Sequence, residues 1–166
     1  MDWSEEYKRK ITSPEEAVKL VNSGDRVEIS IYPTPTLLPA ALAKRRDYLT
    51  DVETVMPEPT YPMPWFEAGW EDSFKPTLEL HVGMGGAKTV IDEKRADYYP
   101  ILFSLWHKPN IDQREFIPPI DVFMCTVSPP DRNGYCSFGG HLWNKRVLAK
   151  FAKIVLAEVD DSAIRT

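Results

Sequence analysis

The sequence predicts an α/β fold, a mostly parallel open sheet flanked by helices, and three observations carry that expectation. Residues 121–127 form a short, nearly continuous apolar run, as expected of a strand buried on both faces of such a sheet. Strand-like and helix-like segments alternate along the chain with short connections, the pattern of parallel strands joined by crossover helices. The polar, glycine-rich stretch after 121–127 falls where open sheets take their ligands, beyond the carboxyl ends of the strands.

The elements can be justified in chain order. Ser13-Pro14-Glu15-Glu16 combines a capping hydroxyl, a proline at the first helical position and acids facing the positive end of the helix dipole. Gly24 stops that helix, Ala17, Val18, Leu20 and Val21 supply its apolar face, and Asp25-Arg26 turns the chain into a strand over 27–32. Pro33-Thr34-Pro35-Thr36 makes a loop. The spacing of Leu37, Leu38, Ala41 and Leu42 then predicts a helix over 37–48 with a cationic end, and 52–56 is the second strand.

Between residues 57 and 76, Pro57, Pro59, Pro62, Pro64 and Pro76 share the chain with Tyr61, Trp65, Phe66, Trp70 and Phe74. Proline blocks regular pairing while aromatic rings demand burial, so an ordered excursion is expected there. Residues 77–82 return to strand character and end in Gly83-Met84-Gly85-Gly86, followed by a short helix over 87–95 and a turn with a short element at Tyr98-Tyr99-Pro100-Ile101. Pro118-Pro119 introduces the buried strand. A helix over 141–153, with Lys145, Arg146 and Lys150 on a cationic side, and a last strand over 153–159 complete the pattern.

Composition narrows the function classes. A chain of 166 residues fits one domain, here 1–166, and can bury a sizeable core without staples. A net charge of −5 and a pI near 5.3 give no electrostatic footprint for nucleic acid, which is excluded as a partner. The N-terminal residues have no apolar signal core and no window approaches the roughly 18 apolar residues of a membrane span, so a soluble cytoplasmic protein with no membrane partner is expected. Cys125 and Cys136, with no Cys-x-x-Cys pair and no clustered histidine, suggest neither a zinc site nor a disulfide framework. No metal is expected, and Cys125 reads as packing.

The candidate site residues lie in three loops. Asp131, Asn133 and Gly134 form an Asp-x-Asn-Gly turn within Ser128-to-Gly140, which can present main-chain N–H groups to a carboxylate or thioester oxygen. It can equally be a structural turn whose aspartate caps its own backbone. Gly83, Gly85 and Gly86 follow a strand and precede a helix, so they allow either close approach of a phosphate or a simple tight turn. The third glycine and distal acid of a dinucleotide fingerprint are missing. His81, His107 and His141 have no serine or cysteine in a nucleophile context beside them and read as structural. Lys44, Arg45 and Arg46, with Lys145, Arg146 and Lys150, are either solvated helix faces or an attraction for phosphates. Trp65, Phe66, Trp70, Phe74 and Trp106 either wall an apolar pocket or, the reading put first, bury against a partner.

Taken together, these motifs resemble the N-terminal half of the acetyl-CoA hydrolase/transferase family, which includes acetate and 4-hydroxybutyrate CoA-transferases. The resemblance runs from Ser13-Pro14-Glu15-Glu16-Ala17-Val18 and Ser23-Gly24-Asp25-Arg26-Val27 through Pro35-x-x-Leu38-x-x-Ala41-Leu42 and Arg95-Ala96-Asp97-Tyr98-Tyr99-Pro100. It continues with Asp121-Val122-Phe123, the Ser128-to-Gly139 turn, Ala149-x-x-Ala152-Lys153, Ala157-Glu158-Val159 and Arg165-Thr166. Each motif alone is weak; their order and spacing over nearly the whole chain are specific.

The resemblance implies a CoA-transferase-like fold and an acyl group moving between coenzyme A and a carboxylate through a glutamyl-CoA thioester. In that family the glutamate belongs to the second half of a chain about twice this long, so no catalytic residue is expected here. Activity is not expected from the chain alone. The partner would be a second CoA-transferase-like subunit or a C-terminal half, the substrates an acyl-CoA and a carboxylate, and the assembly an oligomer. A separate subunit is the favoured reading, on the intact N-terminal helix start and the Trp-rich insertion. Substrate binding is carried over to Thr34, whose loop lies near the acyl group in relatives, to Gly83, Gly85 and Gly86 bordering the cleft, and to Asp131, Asn133, Gly134, Tyr135, Ser137 and Gly139 in the turn. The alternatives are a non-catalytic scaffold or regulatory subunit, or a divergent heteromer using the cleft for other CoA-ester chemistry.

Overall fold

The computed structural model describes residues 3–80, 83–105, 108 and 118–166. Among these, six strands form one parallel sheet in the order β4-β3-β2-β1-β5-β6. The strands are β1 (Arg26–Ile29), β2 (Val52–Met56), β3 (Phe74–Leu78), β4 (Asp97–Tyr98), β5 (Val122–Val127) and β6 (Ile154–Val159). The helices are α1 (Trp3–Lys10), α2 (Pro14–Ala17), α3 (Leu37–Ala43), α4 (Ala87–Asp92) and α5 (Lys145–Phe151). The α/β class and the parallel sheet stand as expected. The ends of elements moved, each for a local reason.

Ser13 caps α2 as its hydroxyl predicts, accepting from the Glu16 amide at 3.2 Å, but α2 gives way to a single 3-10 turn at Val18–Leu20. Arg45 donates to the carbonyls of Val18 and Val21 and so fills acceptors that the short helix leaves open. The expected helix over 37–48 ends at Ala43 and resumes as a 3-10 turn at Arg46–Tyr48. The third strand starts at Phe74 rather than Thr77, with Pro76 inside it. That proline is tolerated because β4 reaches only Thr77 and Leu78, leaving β3 an edge at Pro76. The strand ends at Leu78 instead of running on to 82, with Glu79 and Leu80 beyond it, while His81 and Val82 and the pair Trp106 and His107 lie outside the described residues.

Register explains why β5 reads as an unbroken apolar run. Val27 and Ile29 lie opposite Val122 and Met124, so these four share one face, while Phe123, Cys125 and Val127 turn to the other. The first face is covered by α3 and α4 through Leu38, Ala41, Leu42, Ala87 and Val90; the second is covered by α5 through Leu148. Every residue of β5 is buried. The same two-sided burial extends to the first strand, which spans Arg26–Ile29 rather than 27–32 and in which Glu28 is 1% exposed.

The excursion after β2 folds back into the first face. Trp65, Phe66 and Phe74 are buried there, Trp65 stacks on Phe74 with ring centroids 5.1 Å apart, and half-exposed Trp70 tilts against Phe74 at 5.9 Å. These rings therefore fill the chain's own core, which corrects the expectation that they face a partner. The physical reason is proximity: a loop between neighbouring strands of one sheet can return its aromatics to the adjacent core face. The cations near them are also engaged, Lys44 with Glu15 at 2.8 Å and Arg46 over the Trp70 ring at 4.6 Å.

Candidate functional site

The strand order places a topological switch at β1 and β5. The chain leaves β1 outward through β2, β3 and β4, then returns to the other side for β5 and β6. Because α3 and α5 cover opposite faces, the loops leaving β1 and β5 set out toward opposite sides of the sheet at its carboxyl edge, the place where open α/β sheets take their ligands. All ten residues singled out in the sequence lie in loops at this edge, in two groups.

Thr34, Gly83, Gly85 and Gly86 make the first group, held by the excursion. Thr60 donates its hydroxyl to that of Thr34 at 3.2 Å, and the Tyr61 hydroxyl donates to the Pro35 carbonyl. Gly85 has φ +56°, and a Cβ there would stand 2.6 Å from the Pro59 carbonyl oxygen and 2.9 Å from that of Tyr61. A side chain is excluded by backbone on both counts. The loops after β1, β2 and β3 thus form one packed wall. The amide ends of α3 beside it are already filled by Glu158 of β6, whose carboxylate accepts from Thr36 at 3.1 Å and Leu38 at 2.6 Å.

Asp131, Asn133, Gly134, Tyr135, Ser137 and Gly139 make the second group. The Asp131 carboxylate accepts from the amides of Asn133 at 2.8 Å and Tyr135 at 2.9 Å, and those bonds hold its pKa below the ordinary aspartate range. The Gly134 amide donates to the Asp131 carbonyl, the Ser137 amide to the Ser128 hydroxyl and the Gly139 amide to the Ser137 hydroxyl. The amides expected to meet a ligand oxygen are therefore taken within the turn, because the short side chains of Asp131, Ser128 and Ser137 reach them first. A Cβ on Gly134 would stand 2.5 Å from the Trp3 ring of α1, so that glycine admits the N-terminal helix. What the turn leaves open is the Tyr135 ring, 70% exposed.

Two residues that sequence reasoning missed tie this group together. Arg165 donates to the Ser128 hydroxyl at 3.2 Å, to the carbonyls of Pro129 at 2.7 Å and Tyr135 at 2.8 Å, and pairs with Asp131 at 3.2 Å. Lys145, taken from the sequence as part of a cationic helix side, is instead fully buried, three residues before Leu148 on the inward face of α5. Its ammonium donates to the carbonyls of Tyr32 and, at 3.4 Å, Phe138, and burial pulls its pKa down to about 8. His141 precedes the helix rather than opening it, its ring 5.6 Å from that of Tyr32.

Other groups behave as packing. Cys125 is buried and its thiol is pushed up to about 12 by that burial, which leaves it protonated and inert. Glu28, buried on the second face, has its carboxyl raised well above the usual range by desolvation, then by the Glu79 charge. Among the described residues no three His, Cys, Asp or Glu side chains gather to hold a metal ion, and no helix is long and apolar enough to cross a membrane.

The profile of the acetyl-CoA hydrolase/transferase N-terminal domain matches residues 1–165. The chain belongs to the acetyl-CoA hydrolase/transferase family. It is 32% identical over its whole length to the 4-hydroxybutyrate coenzyme A transferase of Clostridium kluyveri and covers 38% of that protein. It is 30% identical over 99% of its length to the butyryl-CoA:acetate CoA-transferase of Anaerostipes caccae, covering 36% of it. Among solved structures, RipA from Yersinia pestis superposes with a TM-score of 0.82 at 26% identity over 99% of this chain and 40% of RipA. A 4-hydroxybutyrate CoA-transferase from Porphyromonas gingivalis superposes with a TM-score of 0.61 at 25% identity, over 95% of this chain and 35% of that one. The chain thus spans well under half the length of the acetyl-CoA hydrolase/transferase relatives it matches. It is a part of a CoA-transferase-like architecture, in a family whose substrates are CoA thioesters.

Proposed function

We propose that residues 1–166 act as one structural unit that shapes the acyl side of a CoA-transferase-like cleft, with the nucleophilic glutamate supplied by polypeptide outside this segment. The observation that carries the reading is the meeting of three loops at the β1–β5 switch of a chain that matches the family's N-terminal domain. Acyl-CoA and a carboxylate are the substrates, held without a metal. Tyr135 lines the acyl pocket through its exposed ring, while Thr34, Gly83, Gly85 and Gly86 form the opposite wall. Asp131, Asn133, Gly134, Ser137 and Gly139 contribute by fixing the turn that carries Tyr135. The described residues contain no arrangement of nucleophile and base in these loops, which supports placing the covalent step elsewhere.

The other half of the cleft is either a continuation of the chain or a second subunit, and the free cysteines Cys125 and Cys136 fit a reducing, cytoplasmic setting. Native mass spectrometry of the protein purified mildly from its own cells tests the reading. A mass well above that of 166 residues, as a longer chain or a complex, together with CoA exchange between acyl donors, is expected. Recovery of the segment alone would sink it. The scaffold reading would gain if such a complex exchanged CoA equally well with Tyr135→Ala.

A further inference from the structure

Among the described residues Lys145 is the one buried cation, and it lies beneath the β1–β5 switch. Its side chain is fully buried, yet its two described hydrogen-bond partners are carbonyls, Tyr32 just beyond β1 and Phe138 in the glycine turn beyond β5. An apolar side chain of equal length would avoid the desolvation cost of a buried ammonium. The two carbonyls belong to the loops that leave β1 and β5, and both accept from this one nitrogen. We propose that Lys145 is a positioning residue, its ammonium tying the backbone that leaves β1 to the turn that leaves β5 and so fixing the width of the cleft between them. The inference rests on reading that edge of the sheet as the acyl side of a CoA-transferase-like site.

The link depends on charge. Burial lowers the Lys145 pKa to about 8, whereas an unfolded lysine titrates near 10.4. Between these values the folded chain holds fewer protons than the unfolded one, so this group makes global stability rise with pH while the charge assistance to both carbonyls is lost. A cleft that loosens as the protein becomes no less stable is the signature of positioning rather than of bulk support. The titratable group that acts on Lys145 is Cys125 on β5, which in turn feels Cys136 in the turn and Glu158 on β6. Cys125 is pushed up to about 12 and stays neutral through the same window.

The test uses the protein purified from its own cells, with Lys145→Met and Lys145→Arg introduced there. In the wild type, KM for acyl-CoA should rise about fivefold from neutral pH to about pH 9.5 at constant kcat, the factor expected when one hydrogen bond loses its charge. Lys145→Met should show the raised KM at every pH, and Lys145→Arg, which does not deprotonate, should remove the alkaline rise. Independently of activity, hydrogen exchange in Lys145→Met should quicken about tenfold at residues 32–36 and 138–140 and stay unchanged in β1 and β5. Unchanged exchange in both loops, or a loss of protection spread through the sheet, overturns the proposal. If the wild type moves no CoA, the functional reading falls and hydrogen exchange alone decides the role of Lys145.

Discussion

The loops that follow β1, β2 and β3 and the turn that follows β5 lie at one carboxyl edge of the sheet, yet different forces hold them. On the first side, Gly85 lies against the carbonyls of Pro59 and Tyr61, and the excursion behind it is anchored by the buried pair Trp65 and Phe74. On the second, Asp131, Arg165, Ser128, Ser137 and Lys145 hold the chain through hydrogen bonds, most of them to charged groups. Apolar packing is indifferent to pH and strict about shape; charged hydrogen bonds reverse both properties. The first side thus rests mainly on volume, with the Thr60–Thr34, Tyr61–Pro35 and Glu158 hydrogen bonds added to it, and the turn that carries Tyr135 rests mainly on charge.

Four substitutions probe that contrast, from the largest effect down. Trp65→Ala should cost about 3–5 kcal/mol in urea unfolding, since it empties a fully buried aromatic site; a loss below about 1 kcal/mol would mean the excursion is not part of the core. Gly85→Ala should cost about 1–3 kcal/mol by forcing a Cβ into two backbone carbonyls, with the largest chemical-shift changes at Pro59 to Tyr61. Gly134→Ala should cost about 1–2 kcal/mol, the penalty of a left-handed backbone, and release α1, which buries no residue of its own. Faster tryptic cleavage after Lys8 and Arg9 would report that release.

The smallest effect is the acid dependence of the turn. Asp131 has a folded pKa below its unfolded one, so its contribution is complete above the ordinary aspartate value of about 3.9 and is lost as pH falls through the lower folded value. Asp131→Asn should therefore weaken the turn at neutral pH and flatten its response to acid, followed by fluorescence of Trp3 against Gly134. An unchanged acid response would transfer the role to Arg165 and Ser128.

How far the sequence revealed this depends on the kind of signal. The class, the order of elements and the β5 strand were legible because apolar runs, the Ser13 cap and Gly24 act locally. The site loops were legible as places, since Gly83 to Gly86 and Asp131 to Gly140 are turn chemistry at strand ends. Their internal wiring was not. Asp131 was left between two roles, because whether its amides face a ligand depends on how close Ser128 and Ser137 come. Lys145 was misplaced because its charge outweighed its spacing: it stands three residues before Leu148 and shares that residue's buried face. The burial of Glu28 was hidden because a carboxylate in a strand reads as solvent-facing until the strand is known to lie between β2 and β5. Arg165, thirty to thirty-seven positions from its partners in the turn, met them only through the fold.

The central claim, that this segment shapes the acyl cleft while the covalent step lies elsewhere, is tested most directly by exchange of labelled acetate into acetyl-CoA. The assay compares residues 1–166 purified alone with the same segment in the assembly recovered from its own cells. No exchange by the segment and exchange by the assembly, lost on hydroxylamine treatment in the presence of acyl-CoA, is the predicted result. Exchange by residues 1–166 alone would place a nucleophile within this segment and contradict the account.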